Sequence, residues 1–125
     1  MTKTILKTLD LVAQAIFDKK GFNIIALDVR GFSTMTDFFI IAEGNINRHI
    51  KGIAQTIEDV LRESGHKIMH IEGAKTSDWI VMDYSDIVIH LFTSELREKY
   101  SLEQLWKEAK IVDLHIDVKE KEKDK

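Results

Sequence analysis

No cysteine and no proline occur among the 125 residues. Without thiols there is no disulfide framework, no thiolate nucleophile and no Cys-built zinc site, and a reducing cytoplasm is the economical address. Long apolar runs are missing too. The longest strongly apolar stretch, Phe38 to Ala42, falls far short of the ~20 residues that cross a bilayer. The amphipathic start, Met1 to Phe17, is interrupted by Lys7, Asp10 and Gln14 and is no secretory signal. Charge of one sign is also lacking: Lys+Arg 18 against Asp+Glu 21 leaves a net −3, with a pI of about 5.9 and no Lys/Arg stripe. Phosphate contacts therefore have no visible driver, and independent nucleic-acid binding is not expected. A basic protein partner remains compatible. What is present, 44% hydrophobic and 31% charged residues, describes one globular domain with its own core.

Helical spacing of Ile5, Leu9, Val12, Ala13 and Ile16 predicts a first helix, stopped at Lys19-Lys20-Gly21. Phe22 to Val29 and Asp37 to Ala42 read as two strands, paired antiparallel. Ile50, Ile53, Ile57, Val60 and Leu61 mark a second amphipathic helix with Asn45 or Asn47 as cap, Gly65 as stop and Gly52 tolerated inside it. Lys67 to Glu72 is a third strand. Trp79 to Tyr84 and Ile87 to Phe92 are separated only by Ser85-Asp86, and a two-residue hairpin fixes the register: Trp79 faces Phe92, Val81 faces His90 and Asp83 faces Val88. The opposite face, with Ile80, Met82, Ile89 and Leu91, is apolar and belongs under the helices. A helix follows Thr93-Ser94; Ser101 with Gln104 makes a capping box ahead of a Leu102, Leu105, Trp106 and Ala109 stripe. Ile111 to Val118 alternates weakly, as an extra strand or an ordered arm. The domain is drawn at residues 1–114, with a charged tail over 115–125.

Catalytic patterns are mostly missing. No two glycines have Walker or dinucleotide spacing, and no glycine-flanked serine elbow occurs. His66 and His70, four apart along a strand, would stand roughly 13 Å apart, too far to share a metal. Asp28, Asp37 and Asp83 at strand ends are the best enzymatic case, that of a metal-dependent nucleotidyltransferase. Two-metal chemistry wants an Asp-x-Asp pair, and Phe39 stands where the second acid belongs. No catalytic residue, metal ligand or cofactor is assigned.

Trp79 is the sharper feature. A lone tryptophan is most simply a core residue, yet its neighbours Asp78, Asp83 and His90 are costly to bury unpaired. An aromatic platform rimmed by charge has the composition of a protein-binding hot spot.

Ala26-Leu27-Asp28-Val29-Arg30-Gly31, Thr36-Asp37-Phe38-Phe39-Ile40-Ile41, Asn47-Arg48-His49, Glu72-Gly73, Asp78-Trp79-Ile80-Val81-Met82-Asp83, Val88-Ile89-His90-Leu91-Phe92 and Arg97-Glu98-Lys99-Tyr100-Ser101-Leu102-Glu103-Gln104-Leu105-Trp106 together resemble the Iojap family, the ribosomal silencing factors. The resemblance runs in order from about Ile5 to Asp113. It implies an α/β fold: a mixed five-stranded sheet with helices packed on it, nucleotidyltransferase-like in topology but without the catalytic acids or the activity. It further implies binding to ribosomal protein number fourteen of the large ribosomal subunit, repression of translation by blocking small-subunit joining, and a homodimer when free. The docking residues carried over are Asp78, Trp79, Val81, Asp83, His90, Phe92, Tyr100, Leu102 and Trp106. The competing readings are the nucleotidyltransferase and a plain dimeric adaptor.

Overall fold

The computed structural model describes residues 2–31, 33, 36–73, 78–100 and 109–117, with the side chains of Thr2, Lys3, Lys99 and Tyr100 left aside. The chain begins with helix α1 (Thr2–Asp18), which buries Leu9, Val12 and Ile16. The expected stop is present but works differently. Lys20, not the glycine, takes the left-handed conformation at φ 71°, while the Gly21 N–H reaches back to the Ile16 carbonyl at 2.8 Å. Gly21 is required by space: a Cβ there would lie 2.4 Å from Ile16 Cγ2.

Strands β1 (Phe22–Asp28) and β2 (Phe38–Gly44) pair antiparallel, as the sequence predicts. Helix α2 (Asn47–Glu63) follows and lays Ile50, Ile53, Ile57 and Leu61 on the sheet. Neither Asn45 nor Asn47 caps it. Ile46 holds the N-cap position with no side-chain bond, and His49 one turn in supplies the connection instead. Its Nδ1 accepts the Asn45 N–H at 2.9 Å, which leaves the proton on Nε2 to donate to the Lys19 carbonyl at 2.7 Å. One imidazole thus ties the end of α1 to the start of α2.

Strands β3 (His70–Glu72), β4 (Trp79–Asp83) and β5 (Ile87–Thr93) lead to helix α3 (Ser94–Tyr100) and strand β6 (Lys110–Val112). The third strand is shorter than the Lys67 to Glu72 reading, because the ladder with β4 takes in His70, Ile71 and Glu72, with Met69 adding one N–H bond to the Asp83 carbonyl at 2.8 Å. The sheet order is β3-β4-β5-β2-β1-β6, with six strands where five are expected from the resemblance. The added strand joins Lys110 to the front of the weakly alternating Ile111 to Val118 segment: Lys110, Ile111 and Val112 pair antiparallel with Asp28, Leu27 and Ala26. All neighbours are antiparallel except the central β2–β5 pair, which is parallel.

Period-two alternation then sorts the sheet. Ala26, Phe38, Ile40, Ala42, Ile80, Met82, Ile87, Ile89 and Leu91 join the helices in one core. On the other face a second cluster joins Leu27, Ile41 and Ala109 with Ile25 and Phe39. Beyond β6, the His115 N–H donates to Asp10 Oδ1 and the Asp117 N–H to Gln14 Oε1, so residues 115–117 are laid along α1. Residues 118–125 lie outside the described residues, as do the capping box and the Leu102, Leu105 and Trp106 stripe.

Candidate partner-docking face

The hairpin holds its register: Trp79 pairs with Phe92, Val81 with His90 and Asp83 with Val88. The turn that sets it has Ser85 at φ 76°, the Tyr84 N–H on the Ile87 carbonyl at 2.9 Å, and the Ser85 N–H on Asp83 Oδ1 at 2.7 Å. Trp79, Val81, His90 and Phe92 therefore share the face turned away from α1 and α2. On the adjoining edge β3 adds His70 opposite Asp83 and Glu72 opposite Val81, and these two exposed side chains bond each other at 2.9 Å.

Burial divides the face. Trp79, Val81 and Asp83 are half-buried and Asp78 is exposed, whereas His90 is 9% exposed and Phe92 is 0%. The last two lie beneath the surface, not on it. The Trp79 ring tilts over Phe92 with centroids 4.8 Å apart, and Phe39 meets His90 edge-on at 5.2 Å. The Trp79 indole N–H donates to His90 Nδ1 at 3.1 Å. Burial pushes the His90 pKa down to about 4, so the imidazole is neutral at neutral pH and can accept that bond. The buried histidine, an apparent cost in the sequence, is paired by its own neighbour. Phe39 is the member that residue-by-residue reading missed; it enters because the parallel β2–β5 ladder sets Phe39 beside Val88 and Ile41 beside His90.

At the end of the same face, Glu43 on β2 is buried and anchored. Ser94 Oγ donates to its Oε1 at 2.6 Å, Asn23 Nδ2 to its Oε2 at 3.2 Å, and Arg97 Nη1 lies 3.2 Å from Oε2 while also donating to the Asn23 carbonyl. Asn23 sits at φ 52° beside an irregularity in the β1–β2 register. Glu43 and Arg97 thus fix α3 to the sheet next to the Trp79 cluster. Nothing short-range in the sequence marks this pair, whose members lie on β2 and α3. Of the other residues carried over from the resemblance, the Tyr100 side chain, Leu102 and Trp106 fall outside the description.

Of the strand-end acids, Asp28 and Asp83 stand on opposite faces of the sheet. Asp28 pairs with Phe38 on the helix-covered parity of the sheet, and Asp83 pairs with Val88 on the opposite parity. Asp28 is taken by Arg30, whose Nη2 stands 2.7 Å from Oδ2; that bond holds the Asp28 pKa below the ordinary carboxylate value. Among the described residues no three His, Asp or Glu side chains gather as a metal site, and none of the described helices is long and apolar enough to cross a membrane.

Residues 2–125 match the model of the family described as Ribosomal silencing factor during starvation. The chain belongs to the ribosomal silencing factor family. The Bacillus subtilis protein named Ribosomal silencing factor RsfS is 38% identical over 112 residues, covering 90% of this chain and 92% of its own. A crystal structure of a Chromobacterium violaceum protein superposes with a TM-score of 0.78 at 32% identity, over 81% of this chain and 84% of that one. A more distant relative, from Mus musculus, is named Mitochondrial assembly of ribosomal large subunit protein 1; it is 29% identical over 101 residues, 78% of this chain and 44% of that protein. As a ribosomal silencing factor, the chain carries the Trp79 face on a sheet whose mixed α/β architecture is shared with family structures.

Proposed function

We propose that the protein binds the large ribosomal subunit through ribosomal protein number fourteen and represses translation by keeping the small subunit from joining. The observation that carries this reading is the Trp79 face: a half-buried indole held in place by His90 and Phe92, open beside Val81 and flanked by Asp78 and Asp83. Interface centres are built from anchored aromatics of this kind, and acids at the rim suit a basic ribosomal protein. Glu95 on α3 is exposed and extends the acidic rim. His90 and Phe92 act in this reading by supporting Trp79, and Tyr100, Leu102 and Trp106 complete the surface as the resemblance implies. The name of the mouse relative, which cites the large subunit, supports the choice of subunit.

Action is by occupancy, without catalysis, in the cytoplasm, and the free protein is a homodimer. A standard docking site of ~800 Å² per partner fits within one sheet face and the adjoining helix. The test is Trp79→Ala, read by co-sedimentation with separated large subunits and by thermal melting of the same sample. Loss of at least ~2 kcal/mol of binding with the fold retained supports the reading. Unchanged co-sedimentation of a folded variant overturns it.

A further inference from the structure

Residues 109–117 run as a belt around the β1 edge of the sheet. Ala109 sits in the second apolar cluster, on the Trp79 side. Lys110 to Val112 pair with β1, and Val112 and Leu114 then pack against the core on the helix side. Exposure alternates along the way, with Val112, Leu114 and Ile116 half-buried and Asp113, His115 and Asp117 exposed, which is the pattern of an extended segment.

Beyond Val112 the ladder with β1 stops, and the main chain is caught by two side chains of α1 instead. Asp10 receives His115 twice, from the backbone N–H on Oδ1 at 2.9 Å and from the imidazole Nδ1–H on Oδ2 at 3.1 Å. Gln14 pairs with the backbone of Asp117 as a strand residue would: its Oε1 accepts the N–H at 2.7 Å and its Nε2 donates to the carbonyl at 3.1 Å. The same Nε2 also donates to Asp18 Oδ1 at 2.9 Å, one turn further along α1, which holds the amide in the orientation the belt needs. The two repeats match. Four residues of helix advance about 6 Å and two residues of extended chain about 6.6 Å, so side chains one turn apart meet alternate residues of a chain laid lengthwise.

We propose that residues 113–117 are a reversible strap, which opens from α1 and recloses as one unit while the sheet stays folded, with Asp10 and Gln14 as its two-point latch. Surface hydrogen bonds and the half-buried side chains of Leu114 and Ile116 hold this stretch, whereas β2 and β5 pair over seven residues through the core. The difference in ties sets the order of opening. Asp113, exposed between β6 and the first clamp, is the hinge. Opening bares the α1 stripe of Asp10 and Gln14 and the apolar seat of Leu114, a surface that closure keeps from other chains. It lies on the layer opposite Trp79, so the strap stands independently of the ribosome reading.

The experiment is amide hydrogen exchange of the full chain, followed by ¹⁵N-correlation NMR, in the parent and in Asp10→Ala. In the parent, the His115 and Asp117 amides should exchange more slowly than a free chain and about 100-fold or more faster than the protected amides of the β2–β5 ladder. Asp10→Ala deletes both bonds to His115 and should speed its exchange about tenfold. The Asp117 amide should accelerate by the same factor although its own Gln14 clamp is intact, because the two open together. Fraying from residue 117 inward would leave Asp117 unchanged in this variant. Gln14→Ala should give the same joint acceleration from the other clamp. Acceleration of His115 alone in Asp10→Ala, or of neither amide, overturns the proposal. So does exchange of both parent amides at the free-chain rate or at the ladder rate, or a ladder that accelerates with them in the variant.

Discussion

The indole N–H of Trp79 donates to Nδ1 of His90 across the β4–β5 ladder, one diagonal step from the Trp79–Phe92 pair. An indole nitrogen is only ever a donor, so this bond requires a neutral His90 whose remaining proton is on Nε2.

Burial of His90 makes stability fall as the solution turns acidic. His90 has a pKa of about 4 in the folded protein against 6.5 when unfolded, so the unfolded chain takes up the proton first as pH falls. The stability contribution is fully present above about pH 6.5 and is lost progressively down to about pH 4. Between pH 7 and pH 5 it amounts to about 2 kcal/mol. His90→Asn, which keeps an acceptor for the indole and removes the titration, should flatten that part of the slope. Urea denaturation of both proteins at the two pH values checks it; equal slopes would assign the pH dependence elsewhere.

Glu43 and Arg97 give a second expectation. Their side chains are 9% and 11% exposed, and the carboxylate carries three donors at once. Arg97→Met leaves a buried carboxylate without its cation, so it should cost about 3–5 kcal/mol of stability. Adding Glu43→Gln to that variant should recover part of the loss. A double variant as destabilised as the sum of the singles would show that the pair is not coupled.

How much of this was legible differs between elements for physical reasons. The hairpin register follows from a two-residue turn, which is local chemistry, and all of its pairs are found. The β2–β5 parallel pair joins segments separated by a helix and two strands, and no local signal encodes it. Phe39 and Glu43 were invisible as site members for the same reason. The sixth strand is three residues long, so the weak alternation from Ile111 left an extra strand as only one of two readings, and its start at Lys110 carried no signal. At α2 the asparagines looked like caps, but the imidazole of His49 connects to the backbone there instead.

Two glycines should respond oppositely to alanine. At Gly52 an added Cβ meets nothing within 4 Å, so Gly52→Ala should stabilise the protein by about 0.5–1 kcal/mol through helix propensity. At Gly21 the same change drives a methyl group against Ile16, and a loss of about 1–3 kcal/mol is expected. Paired thermal melts decide both; a stable Gly21→Ala protein would mean that the α1 stop relaxes easily.

Occupancy has a kinetic signature. In cell-free translation, protein mixed first with separated subunits should inhibit strongly, with inhibition saturating near one protein per large subunit. The same amount added to elongating ribosomes should do little until they recycle. Salt should weaken inhibition only moderately if the aromatic centre outweighs the charged rim. Equal inhibition in both orders of addition, or persistent inhibition by sub-stoichiometric protein, would point to a modifying enzyme instead.

The pairing of β6 with β1 also bears on how the molecule is made. Residues 26–28 are synthesised well before their partners: their outer hydrogen-bonding edge meets Lys110 to Val112 only after β2, α2, β3, β4, β5 and α3 have been polymerised. Until then a nascent chain presents a bare strand edge ending in Ala26, Leu27 and Asp28, the kind of template on which unfinished chains pair with one another. Strand β6 is therefore a late seal over β1, and premature termination before it should yield a product that self-associates through that edge.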